Sequence, residues 1–169
     1  MTIHSSHPFA TPPEHRDAAR RLRGQLASPV TLWLAGVGAE RAGLTVSSVL
    51  VALGEPARIL GLVDPDSDLA HALDARFTVT VLAASDRPLA DAFAGVAPAP
   101  GGLFRSTDFV ATPWGPTLGV TRPWAGVRLE SVRTLGWSQE VVGVIEHVQV
   151  EAEGEPLVHL RGRYAGVRA

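Results

Sequence analysis

From Val30 onward the apolar residues come in short runs broken by Gly, Pro and Asp: PVTLWLAG, LTVSSVLVAL, ARILGLVD and RFTVTVL. Runs of this length, rich in β-branched residues and bounded by turn formers, predict strands. Ahead of them the texture is helical. Thr11-Pro12-Pro13-Glu14 has the form of a capping box with proline at the first helical position. Ala18, Leu22 and Leu26 then recur at intervals of four, so an amphipathic helix is predicted over residues 12–26, ended by Pro29 and preceded by a mobile tail, 1–11. Two short helices are predicted between strands. One covers 67–74 with Ser67 as its N-cap, and the other covers 86–94 from Asp86 to Gly95. Residues 95–116 read as an irregular loop pinned by Phe104, Phe109 and Trp114. Three long strands close the chain, at 125–136, 140–152 and 156–164, the last two joined by the turn Glu153-Gly154-Glu155. This pattern predicts one mainly-β domain over residues 1–169. Its core is a closed antiparallel barrel of six or seven strands, with an N-terminal helix and short inter-strand helices.

One segment departs from the pattern. In AGLTVSSVLVALGEP the chain spends Thr45, Ser47 and Ser48 just before the run Val49, Leu50, Val51. Threonine is at home in strands and serine at their ends, so a solvated strand end accounts for these residues without a ligand. The alternative is a binding edge, in which the hydroxyls and backbone N–H groups hold a phosphate or a ring edge.

Composition narrows the chemistry. The 169-residue chain contains no cysteine, which excludes disulfides, thiolate metal sites and a cysteine nucleophile. All 15 basic residues are arginine, so no lysine can form a Schiff base. A net charge of −2 gives no reason to expect nucleic acid as a partner. No 18-residue apolar run or signal-like h-region is present, so no membrane association and a cytoplasmic location are expected. His4, His7, His15, His71, His147 and His159 are scattered and form no metal-binding spacing. No GxSxG elbow, P-loop or GxGxxG motif occurs. The carboxylates of Asp64, Asp66 and Asp68 read as a solvated turn leading into a helix. What is left is a polar patch lacking an acid, a base or a nucleophile, which suits chemistry carried by a cofactor that the protein only places.

The order of the remaining motifs is informative. GLTVSS is followed by EPARILGLV, a turn bearing Ser67, RFTVTVLA, LADAFAG and PLVHLRGRY. In that order and spacing, over residues 20–165, the chain resembles the flavin reductase-like family of FMN-binding split barrels. The resemblance implies a split β-barrel that binds FMN or FAD and uses NADH or NADPH as co-substrate. It also implies a homodimer with the flavin site between subunits, and a partner monooxygenase that receives the reduced flavin. It places Thr45, Val46, Ser47, Ser48 and Val49 along the flavin ring and ribityl chain, with Asp64 and Ser67 in the phosphate loop. Where family members often carry Gly-Asp-His before the penultimate strand, this chain has Gly136, Trp137 and Ser138, which puts Ser138 on the nicotinamide side. The second reading is a flavin- or ligand-binding split barrel without reductase activity.

Overall fold

The structure, a computed structural model, describes residues 17–151 and 154–167. The chain starts with helix α1, Ala18–Gln25. Strands β1 (Ser28–Pro29), β2 (Thr31–Ala35), β3 (Ala42–Val46), β4 (Val49–Ala52) and β5 (Arg58–Val63) follow. After helix α2 (Asp68–Ala72) come β6 (Arg76–Val81), helix α3 (Arg87–Phe93) and the hairpin β7 (Phe109–Thr112) and β8 (Gly115–Leu118). Last are the long strands β9 (Trp124–Leu135) and β10 (Ser138–Gln149), then β11 (Leu157–Leu160) and β12 (Arg163–Gly166). Seven strands form one antiparallel sheet in the order β3-β2-β6-β9-β10-β5-β4. The expected mainly-β, seven-stranded fold is present. Closure is not complete, because β3 and β4, joined by only Ser47 and Ser48, are the two edges of the sheet. The sheet curls until its edges approach, and the barrel stays split between them.

Strand periodicity divides the side chains between two cores. One face of the sheet, inside the curl, carries Trp33, Val46, Ile59, Val63, Phe77, Val79, Val127 and Val141, with Leu69 of α2 packed onto the same cluster. Trp33 and Phe77 stack there at 5.1 Å. Across this core lies Gly61, whose place in a buried strand has a steric reason: a Cβ would stand 2.7 Å from the Trp33 ring. The outer face of β2 and its neighbours carries Val30, Leu32, Leu34 and Leu82, covered by Ala90 and Phe93 of α3 and by Leu118 and Leu157. An ion pair ties this outer layer to the sheet. Arg122, ahead of β9, donates to both carboxylate oxygens of Asp86 at 2.6 and 2.9 Å, and both side chains are largely buried. Paired this way, each charge keeps the hydrogen bonds it gave up on leaving water.

Four expectations need correction. Within the described residues helix α1 begins after Asp17, whose extended backbone and side-chain bond to the Arg20 amide (2.7 Å) form the N-cap and interrupt the helix expected over 12–26. The capping box Thr11–Glu14 and the tail 1–11 lie outside the described residues. Residues 95–116 are not wholly irregular. A 3-10 turn at Leu103–Arg105 and the β7–β8 hairpin occupy part of them, held by the packed rings of Phe93, Phe104 and Phe109. The last strand is two strands. Arg161 (φ 52°) and Gly162 (φ 77°) turn the chain back, and the resulting hairpin pairs with β1 instead of β10. Glu153 of the expected turn before it is also outside the described residues. The helices predicted at 67–74 and 86–94 are present, shortened to Asp68–Ala72 and Arg87–Phe93, with Ser67 capping the first.

Gly61→Ala should destabilise the fold by about 1–3 kcal/mol, the usual cost of overpacking a close-packed core. Thermal unfolding followed by circular dichroism checks this. An unchanged midpoint would mean that the Trp33 ring is free to move aside.

Candidate functional site

The seam where the chain leaves one sheet edge for the other brings distant residues together. The Leu62 amide donates to the Ser48 carbonyl at 3.0 Å, which holds the seam against the last residues of β5. From that end of β5 the chain runs directly into the turn Asp64–Ser67. In β10, Gln139 pairs with Val63, so Ser138 stands beside the residue where β5 exits. Ser47, Ser48, Asp64, Ser67 and Ser138 therefore share one corner of the barrel.

Their hydroxyls are in different states. Thr45 lies on the outer face of β3 and donates to the Ala90 carbonyl of α3 at 2.8 Å, so its proton is committed to packing. Val46 is buried in the inner core, and Val49 packs against it from β4. Ser67 both accepts from the Ala70 amide (3.2 Å) and donates to the Asp64 carbonyl (2.7 Å), which makes it the cap that shapes the turn. Asp64 accepts from the Asp66 amide at 2.9 Å in the same turn. Ser47, Ser48 and Ser138 differ from these. They are half-buried, and their hydroxyls have no hydrogen-bonding partner among the described residues. Half-buried hydroxyls without protein partners are what a bound polar group would complete. Asp64, Asp66 and Asp68 are exposed.

A second concave region lies across α2. A cleft of about 720 Å³ is lined by the β2–β3 turn from Gly36 to Arg41, by Asp68 and His71 of α2, by Asp74 and Arg76, and by the β7–β8 turn with Trp114. Trp114 donates its indole N–H to Glu146 at 2.9 Å and stacks on His147 at 5.1 Å. That indole bond, with Arg128 and Arg76 adding to it, holds the Glu146 carboxyl below its ordinary range. Sequence reasoning missed this cleft, because its walls come from three segments that no periodicity links. Among the described residues no cluster of His, Asp or Glu could hold a metal ion, and no helix is long and apolar enough to cross a membrane.

With this geometry in hand, the comparisons identify the class. The model of the flavin reductase-like domain family matches residues 22–168, and the chain belongs to that family. Solved structures of the same fold include an NADH:FAD oxidoreductase, SgcE6, from Streptomyces globisporus C-1027. It is 22% identical with a TM-score of 0.80, covering 94% of this chain and 96% of its own. Another is BorF, the flavin reductase component of a bacterial two-component tryptophan halogenase, at 24% identity and TM-score 0.78, covering 89% and 99%. The flavin reductase of styrene monooxygenase from Pseudomonas putida S12 matches at 18% identity and TM-score 0.79, covering 90% and 99%. A search of curated protein sequences finds no relative.

The hydroxyl states separate two roles on neighbouring residues. Thr45→Val should cost about 0.5–1.5 kcal/mol of stability, the net worth of one hydrogen bond, and leave flavin affinity unchanged. Ser47→Ala with Ser48→Ala should do the reverse, leaving stability unchanged and raising the flavin dissociation constant about tenfold. Paired thermal melts and fluorescence titrations read both.

Proposed function

We propose that the protein is an NAD(P)H-dependent flavin reductase that passes hydride to FMN or FAD and serves as the reductase component of a two-component monooxygenase. Family membership and neighbours named as reductase components support this reading, and one neighbour is described in complex with NAD and FAD fragments. The observation that carries it is the set of three partnerless hydroxyls, Ser47, Ser48 and Ser138, at the seam. A bound flavin would supply the hydride-accepting ring; the chain's part is to bind, orient and exclude water. In this reading Ser47 and Ser48 donate to the polar edge of the ring, Val46 and Val49 give the seam its apolar backing, and the Asp64–Ser67 turn takes the phosphate end. Ser138, at the mouth of the β9–β10 hairpin, faces the nicotinamide side.

The test is a steady-state assay with NADH and NADPH against FMN and FAD, with and without a chelator. Nicotinamide oxidation that depends on flavin and is insensitive to chelation is expected. Flavin bound without turnover would instead favour the second reading, a flavin-binding split barrel without reductase activity. The serine at 138, where the family often has histidine, is the feature that favours it.

The same reading includes a homodimer. The edge strand β4 exposes Leu50, Val51 and, just past it, Leu53 at 92%, and the β9–β10 hairpin tip exposes Trp137 at 81%. An open strand edge with apolar side chains beside the seam is the kind of surface that proteins cover. Leu53→Asp should therefore shift the protein from dimer to monomer in sedimentation velocity and weaken flavin binding together. Loss of neither would separate the flavin site from any subunit contact.

A further inference from the structure

Helix α1 has no buried side. None of its eight residues is buried, and Leu22 and Leu26, on the stripe that begins at Ala18, are 65% and 59% exposed. A helix this short is marginal in water by itself. Asp17 caps its start, and its end is tied to the β11–β12 turn. There the Arg161 amide donates to the Gly24 carbonyl at 2.8 Å, and the Arg161 Nε donates to Gln25 Oε1 at 3.0 Å. Arg161 does this in the left-handed region, at φ 52°, where glycine or asparagine would sit with less strain. Hydrogen bonds at its two ends hold the helix, and its apolar stripe stays open to solvent.

The arginines divide in a way that singles out the same place. Arg58, Arg76, Arg87, Arg122, Arg128 and Arg133 form ion pairs. Arg21, Arg23, Arg161 and Arg163 form none among the described residues, and all four are exposed, on α1 and the β11–β12 hairpin. No Asp or Glu occurs from Ala18 to Gln25 or from Leu157 to Gly166. At about 100° per residue, Arg21 and Arg23 fall on either side of Leu22. Arg163 pairs in register with Leu160 of β11, itself 37% exposed. The two elements also sense each other: burial, and then the charge of Arg23, push the His159 imidazole of β11 below its ordinary range. An apolar strip with a charged rim has the anatomy of a protein interface. On a chain of net charge −2 it is a local excess of positive charge, which steers an acidic partner.

We infer that α1 and the β11–β12 turn dock an acidic surface of another protein, its carboxylates on the four arginines and its apolar side chains on Leu22 and Leu26. Other occupants fit less well. A second copy meeting this surface face to face would set the same cations against one another. Residues 1–16 carry one carboxylate, Glu14, against one arginine, Arg16, so they cannot neutralise it. Two leucines offer far less hydrocarbon than a myristoyl chain, itself a marginal membrane anchor. The identity of the docked protein rests on the reductase reading, which makes it the monooxygenase that receives the reduced flavin; the surface does not.

The experiment follows the fluorescence anisotropy of a labelled peptide of leucine and glutamate, its leucines spaced for one helical face, against the full chain. A scrambled peptide of the same composition and polyglutamate are the controls. The patterned peptide should bind at least tenfold tighter than either, and more weakly as salt rises. Arg21→Glu combined with Arg23→Glu should raise its dissociation constant about tenfold, the effect of losing one charge-assisted bond. Leu22→Asp should do the same by removing the apolar anchor. Melting temperature and flavin reduction should not change in either, because no residue of α1 is buried. Equal binding of the controls, or patterned-peptide binding indifferent to the variants, overturns the proposal. So does a sedimentation coefficient altered by Leu22→Asp, which would put a second copy on the stripe. Binding to phosphatidylglycerol vesicles that is lost in the arginine variant overturns it too, in favour of a lipid surface. Variant-sensitive peptide binding in a protein that oxidises no nicotinamide keeps the surface and removes the reductase reading. Flavin reduction by a chain that binds no patterned peptide does the opposite.

Discussion

A two-residue connection constrains this fold more than any other feature. Ser47 and Ser48 must carry the chain from β3, at one edge of a seven-stranded sheet, to β4, at the other. Val46 and Val49 are three residues apart, a span of at most about 10 Å, so the edges can be no farther apart than that where the chain crosses. The sheet has to curl, and the curl encloses Trp33, Phe77 and Val127 as an inner core. The edges meet without becoming a ladder: the Ser48 carbonyl accepts instead from the Leu62 amide, which extends the β4–β5 ladder by one residue. The connector therefore keeps its side-chain hydroxyls out of the fold's own hydrogen bonding. The same constraint that shapes the barrel leaves a polar opening in its wall.

What surrounds that opening follows from packing on either side. Outside, α3 and the β7–β8 hairpin cover β2 and β6, and the price in buried polar groups is met locally. Thr45 bonds to Ala90, Thr78 to Pro116, and Thr80 to Thr117. No buried side-chain N or O atom among the described residues lacks a partner. Against that background of satisfied threonines, the seam serines Ser47, Ser48 and Ser138 keep half-buried hydroxyls without a partner among the described residues. Beside α2 lies also the cleft lined by Arg41, Asp68 and Trp114. Both sites share α2 as a wall, which is how a short helix of five residues comes to separate two polar regions of different character.

The sequence by itself settled the elements whose signals are local. Strand runs such as RFTVTVL, the Ser67 cap and the Asp86 and Gly95 brackets of α3 depend on residues within a few positions of one another, and each is present. The order of motifs carried the family, because it samples the whole chain. The helix read over 12–26 overlooked Asp17, whose side chain makes the observed cap of α1. The terminal hairpin was misread because Arg161-Gly162 is a weak turn signal until both residues are seen at positive φ.

Tertiary structure alone decided which hydroxyls are free. Thr45, Ser47 and Ser48 look equivalent along the chain, yet strand alternation turns Thr45 outward onto the Ala90 carbonyl of α3, a partner 45 residues away. Ser47 and Ser48, past the end of the ladder, meet no such partner. The cleft was equally beyond reach of the sequence. Its arginine, indole and carboxylates come from three segments, and only the curl of the sheet with α2 laid across its end brings them to one place. A one-dimensional pattern records which groups a chain owns. The hydrogen bonds they have left to offer depend on what the fold has already placed against them.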